Sequence, residues 1–218
     1  MARIDARRRA EIGVERRAKS RAQLVGAARA LIARRPVDAI TVTDVTVEAG
    51  LSKGAFYGHF ADLDALRLAV ASELAAELQE KIALYRTKAA DPFTKIAIGC
   101  LNYIERARCE PGWGALAARG IWAFPSVAQE ARLRLTEDLE AAAATGPRSI
   151  RTEIAFDIIL GSVLQAMRSA SEGRLADSDA PLLVAGVLRA LGLAIAEADA
   201  TVARAQRVGA GRLPHRGE

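Results

Sequence analysis

The sequence predicts an all-α protein of about nine helices. Three observations carry that expectation. Apolar residues recur at helical spacing along most of the 218 residues. Sustained apolar-polar alternation is missing, and so are Asn-Gly and Asp-Gly hairpin signals. The chain is 51% hydrophobic, too apolar for a disordered polymer and long enough to bury a sizeable core.

The first helix shows its stripe at Leu24, Val25, Ala28, Leu31 and Ile32, and Pro36 stops it. The second starts at Thr41, whose hydroxyl caps the N-terminus with Asp44 three residues on, an acidic variant of the capping box. Val42, Val45 and Ala49 supply its buried face. Gly50 then suits a tight turn with positive φ. Ser52 caps a short third helix whose core face is Phe56 and Phe60. Asp62 caps a long fourth helix, running to about Arg86, with Leu63, Leu66, Val70, Leu74, Leu78 and Ile82 on one side. Further helices are expected at 92–109, 113–122, 125–144, 148–172 and 180–205. The breaks are Pro111-Gly112, Pro125, Gly146-Pro147 and Gly173, and Pro181 reads as a first-turn proline. A flexible tail is expected over 206–218.

Composition narrows the function. Two cysteines, Cys100 and Cys109, exclude a disulfide scaffold and a Cys-rich zinc module, and read as free thiols in the cytoplasm. Two histidines leave little for metal ligation, so neither a metal nor a cofactor is expected. The sequence holds no G-x-S-x-G, H-E-x-x-H, phosphate loop or dinucleotide fingerprint, which argues against an enzyme and against any catalytic residue. The most apolar stretch, Ala180 to Ala196, is short and carries Arg189, so no membrane span is expected.

The charge is localised. Residues 1–21 hold eight of the 31 Lys/Arg and three of the 26 acids, so the whole net charge of +5 sits there. Such a segment reads either as a binding arm for a polyanion, nucleic acid first, or as a solvated tail.

Chemistry concentrates at residues 41–60. A helix, a glycine turn and a second short helix have the helix-turn-helix shape, and a short helix fits the major groove of duplex DNA. Its outward residues are Lys53, Gly54, Tyr57, Gly58 and His59. Two glycines weaken so short a helix, and close approach to a partner is the simplest reason for them. The runs Thr41-Val42-Thr43-Asp44-Val45 and Ala49-Gly50-Leu51-Ser52-Lys53-Gly54-Ala55-Phe56-Tyr57-Gly58-His59-Phe60 resemble the DNA-binding domain of TetR-like transcriptional regulators. In sequence detail the resemblance covers about residues 20–70.

The resemblance implies a homodimeric, sequence-specific regulator, by default a repressor, on a pseudo-palindromic site in double-stranded DNA and released by a small-molecule effector. It divides the chain into a basic arm at 1–19, a helix-turn-helix domain at 20–66 and an effector-binding and dimerisation domain at 67–205. It places Thr43, Lys53, Gly54, Ala55 and Gly58 at base edges, and Tyr57 and His59 at phosphates. Lys53 is equally suited to guanine O6/N7 or to a phosphate. One position departs: the family's lysine at the start of helix four is Leu63 here. Arg7, Arg8 and Arg9 of the arm are expected to make good the lost contact. The alternatives are a DNA-packaging or architectural protein with the same head, and a helical carrier whose helix-turn-helix is vestigial.

Helices 148–172 and 180–205 are apolar on more than one face. They form either a two-fold dimer interface, as the resemblance also implies, or the interior of one large domain. The resemblance places the ligand among helices five to eight. There the scarce aromatics Tyr103, Trp113, Trp122, Phe124 and Phe156 stand out, with Arg119, Asp157 and Gln165 as polar candidates.

Overall fold

The structure is a computed structural model that describes residues 2–110, 112–117, 129–145 and 150–209. Among the described residues it has ten α-helices and no strand. They are α1 (Ala2–Ile32), α2 (Val42–Ala49), α3 (Lys53–Tyr57), α4 (Leu63–Arg86) and α5 (Pro92–Cys109), then α6 (residues 112–117), α7 (Gln129–Thr145), α8 (Thr152–Ser171), α9 (Asp179–Ala190) and α10 (Ile195–Arg207). A 3-10 turn, Val37–Ala39, follows α1. The chain divides into two compact units, Met1–Val70 and Ala71–Glu218, so the boundary falls inside α4.

Two elements differ from the sequence expectation. The segment expected as one helix over 180–205 is two, α9 and α10. Gly192 adopts φ 106° and the Leu193 N–H donates to the Leu188 carbonyl at 3.2 Å, closing α9 before α10 begins. The basic segment expected as an arm is helical from Ala2 onward, continuous with α1. Its arginines, alanines, glutamates and lysine are strong helix formers, and propensity outweighs the charge that suggested a tail.

The first unit is built on the stripe of α1. Leu24, Val25, Ala28, Leu31 and Ile32 are buried with Val37, Ile40, Val45, Phe56, Phe60 and Leu66. The caps are those the residues suggest. The Thr41 hydroxyl oxygen accepts from the Asp44 N–H at 3.2 Å, while the Asp44 carboxylate accepts from the Thr41 N–H at 2.8 Å. Asp62 accepts from the Ala65 N–H at 2.8 Å and starts α4. The rings of Phe56 and Phe60 lie 5.8 Å apart and close the core under α3.

In the second unit α5 is central, packing against α7, α8, α9 and α10. Asp91 caps it by accepting from the Thr94 N–H at 2.8 Å, with Pro92 in the first turn. Ile159, Val163, Leu164 and Met167 of α8 face inward, while Ile154 is exposed. Gly173, at φ 70°, ends α8.

The capping box makes α2 sensitive to acid. Hydrogen bonds from Thr41, with the Arg35 guanidinium beside it, lower the Asp44 carboxyl from 3.8 to about 2. Its contribution is therefore fully present above pH 3.8 and lost as the pH falls through about 2. Melting temperature followed from pH 5 to pH 2 should fall more steeply for the native chain than for Asp44→Asn. Thr41→Ala should cost about 1 kcal/mol in denaturant unfolding at neutral pH.

Candidate nucleic-acid interface and ligand cavity

Gly50 makes the turn between α2 and α3 with φ 65°, a left-handed conformation that side chains disfavour. The Leu51 N–H donates to the Thr46 carbonyl at 2.9 Å, and Ser52 Oγ accepts from the Ala55 N–H at 3.1 Å. These bonds end α2 and start α3 within three residues. Phe56 is fully buried and anchors α3, and the next residue, Tyr57, is 59% exposed. Thr43, Lys53, Gly54 and Gly58 are exposed as well, and Ala55 is half-buried. One turn of helix thus has an apolar underside and a small, polar outer side.

The second half of α1 braces the far end of α3. Arg17 Nη2 donates to the Gly58 carbonyl at 3.2 Å. Ser20 Oγ and His59 Nε2 share a hydrogen bond of 2.6 Å, and the Arg21 guanidinium lies 5.4 Å from the centre of the Phe60 ring. His59 is half-buried by these contacts, so it is part of the brace as well as of the outer face. Leu63 is half-buried at the start of α4. Arg8 is exposed on α1, whereas the side chains of Arg7 and Arg9 lie outside the described residues. Arg34, Arg35 and Arg67 are engaged with Glu48, Asp44 and Asp64.

The second unit contains a cavity of about 350 Å³ walled by α4, α5, α7 and α8. Ile96, Ile159, Val163, Leu164 and Met167 belong to its apolar wall, with Phe156 and Cys100 beside them. Its polar residues sit on α4, α5 and α7. Gln79 is the hub: its amide donates to the Tyr103 hydroxyl oxygen at 2.6 Å, and its Oε1 accepts from Arg134 at 3.1 Å. Arg134 also donates to Glu130. Arg86 holds the Asp138 carboxylate with both nitrogens, one of them at 2.9 Å. Arg132 lies over the Phe156 ring, 4.5 Å from its centre. Lys95 lines the same cavity.

Desolvation by the surrounding helices pushes the Tyr103 phenol up to about 12, against a weaker opposing effect of the Gln79 hydrogen bond. It is therefore a neutral O–H donor across the physiological range. Burial likewise raises the Cys100 thiol to about 12, and burial with the adjoining Glu105 carboxylate raises Cys109 to about 11. Both are weak nucleophiles.

The cavity gathers two of the sequence candidates, Tyr103 and Phe156. Trp113 stands behind the wall, buried and stacked on Tyr103 with ring centres 6.2 Å apart. Asp157 and Gln165 are exposed and line no part of it, because the helical period of α8 turns them away from Phe156, Leu160, Val163 and Met167. Gln165 lies instead in an open groove between α8 and α9 with Ile158, Leu183 and Val187. Arg119, Trp122 and Phe124 lie outside the described residues. The sequence reading missed Gln79, Arg86, Lys95, Arg132, Arg134 and Asp138. A signal existed on α4, where Gln79 and Arg86 share a face with Ile82 at three- and four-residue steps.

Comparison with known proteins settles what this pairing of units is. Residues 24–70 match the model of bacterial regulatory proteins of the tetR family. Residues 91–204, more than half of the chain, match the tetracyclin repressor-like C-terminal domain. The chain belongs to the TetR family.

Solved structures agree. The chain is 26% identical to RolR in complex with resorcinol, covering 88% of this chain and 96% of that one at a TM-score of 0.69. RolR without ligand is 27% identical, with coverage of 84% and 96% and a TM-score of 0.67. FadR from Bacillus subtilis in complex with stearoyl-CoA shares the fold at 12% identity, with coverage of 88% and 98% and a TM-score of 0.60. No curated protein matches the sequence. As a TetR-family member, the protein is a DNA-binding transcriptional regulator with a ligand-binding domain. Among the described residues, no helix is long and apolar enough to cross a membrane.

In the TetR ligand-binding domain α6 approaches α5 and α8 closely at Gly114. A Cβ on Gly114 of α6 would meet the Ala107 Cβ at 2.8 Å and the Ser171 Cβ at 3.1 Å. Gly114→Ala should therefore destabilise the second unit by about 1–3 kcal/mol, read as a lower denaturation midpoint. Unchanged stability would mean that α6 does not sit in this contact.

Proposed function

We propose that the protein is a repressor that binds a pseudo-palindromic operator as a homodimer, through α3, and leaves it when a small organic effector enters the α4–α5–α7–α8 cavity. The observation that carries the reading is the arrangement at α3. A helix too short to be stable alone is capped, braced and anchored by Phe56, yet it turns Tyr57, Lys53 and two glycines to solvent.

In this reading Thr43, Lys53, Gly54, Ala55 and Gly58 meet base edges, and Tyr57 donates its hydroxyl to a phosphate. The Ser20 hydroxyl donates to the Arg17 carbonyl at 3.1 Å, so His59 donates its Nε2–H to Ser20 Oγ, and its Nδ1 offers a proton to a phosphate oxygen only as the imidazolium. Arg7, Arg8 and Arg9 follow the backbone or a minor groove from the first turns of α1. Two copies join through the outer faces of α8 and α9, where Ile154 and Leu182 are exposed and an apolar groove runs beside Gly186. An effector that binds one spacing of the two reading heads better than another shifts the dimer off DNA. The likeness to RolR, whose structure holds resorcinol, supports a small organic molecule in this role. Repression follows from occupying the promoter, in the cytoplasm, with no catalytic step.

Two measurements test the reading on an operator fragment selected from genomic DNA. Replacing Lys53 and Tyr57 by Ala should weaken binding by about 1–3 kcal/mol each. Unchanged affinity of the double variant would refute the assignment of α3. Deleting residues 1–10, which removes Arg7, Arg8 and Arg9 and leaves the Arg17 brace in place, should lower affinity for all DNA sequences and flatten the dependence of log affinity on log salt. A short protected palindrome in footprinting supports a regulator, whereas a length-dependent coating supports the packaging alternative.

A further inference from the structure

Resting on the reading of the α4–α5–α7–α8 cavity as the effector site, we infer that it takes an amphipathic organic anion. The ligand is a carboxylate on an aromatic or short aliphatic body, taken in preference to a neutral phenol. The inference comes from counting donors and acceptors around the cavity.

The acceptors are already committed. Both Asp138 oxygens are held by Arg86. Gln79 Oε1 accepts from Arg134. The donors are not. The Tyr103 oxygen accepts from Gln79, which leaves its own O–H proton with no acceptor among the described residues. Lys95 has no carboxylate or carbonyl partner there either, and the Arg132 guanidinium has only the face of Phe156. The lining groups left without any acceptor among the described residues thus include one hydroxyl donor and two cations. A ligand must bring acceptors to them, and a negative charge makes those bonds charge-assisted. The ligand body lies against Ile96, Val163, Leu164 and Met167, which accept any apolar shape within about 350 Å³. A neutral diol fits less well, because it brings no negative charge to Lys95 and Arg132. A cationic ligand is opposed by Lys95 and Arg132.

The test uses matched pairs of probes on the full-length protein: 4-phenylbutyrate against 4-phenylbutyramide, and decanoate against decanamide, with resorcinol as the neutral phenol. Calorimetry at pH 7.5 should show each carboxylate binding at least about tenfold more tightly than its amide, and more tightly than resorcinol. Lys95→Met should bring the carboxylate down to the affinity of its amide while leaving the amide and the melting temperature unchanged. Lys95→Arg should restore most of the difference. Equal binding of acid and amide overturns the inference, and so does a failure of both carboxylates to bind. Resorcinol binding more tightly than either acid overturns it while the cavity remains an effector site. If the carboxylates bind with the expected preference but do not release the selected operator fragment, the inference stands and the reading of effector control fails.

Discussion

The second unit depends on the burial of α5. Its eighteen residues are packed against four other helices, so few of its positions reach water. A helix in that setting must be apolar or must satisfy its polar groups locally. Asn102 donates its amide to the Ile98 carbonyl at 2.8 Å and Arg106 is held by Glu77 and Glu110, which leaves only Asn102 Oδ1 and Arg106 Nε of these two side chains buried without a partner. Lys95, Ile96, Gly99, Cys100 and Tyr103 form one helical stripe, and this stripe is the α5 wall of the cavity. Gly99 at its middle leaves space where a side chain would stand. The cavity follows from placing polar and small residues on a helix with no other outlet.

The first unit solves a different problem with similar means. Five residues of helix have no intrinsic stability in water. The left-handed Gly50 ends one helix, the Ser52 hydroxyl starts the next, and Phe56 and Phe60 fasten it to the core. Arg17, Ser20 and Arg21 of α1 then hold its far end. The outer side of α3 is thereby free of structural duty. That freedom lets Tyr57 stand in solvent between Gly54, which weakens the helix, and Gly58, which caps it.

Charge shows how far composition reaches. Outside residues 1–21 acids and bases balance, and in α1 to α4 most of that balance is local, as in the pairs of Arg34, Arg35 and Arg67. The cavity breaks the pattern. It draws Arg86, Lys95, Arg132 and Arg134 from three helices against a single lining carboxylate, Asp138. No count along the chain reveals that excess, because it arises only where residues of three helices face one space.

The sequence by itself determined what is local. Capping at Thr41, Ser52 and Asp62, the Gly50 turn, the α1 stripe and the exposed face of α3 all follow from residues within a few positions of one another, where spacing and φ preference decide. Tertiary structure alone decided the rest. Gly192 split the last apolar stretch only because Leu193 folds back on Leu188, and α1 absorbed a charged segment that looked like a tail. His59 became partly internal because Ser20, 39 residues away, reaches it. The cavity assembled Gln79, Lys95, Tyr103 and Arg134 from three helices, while the period of α8 carried Asp157 and Gln165 to the outside. Those outcomes depend on which helix faces lie against one another, and that is set by the packing of whole helices within each unit rather than by any short run of residues.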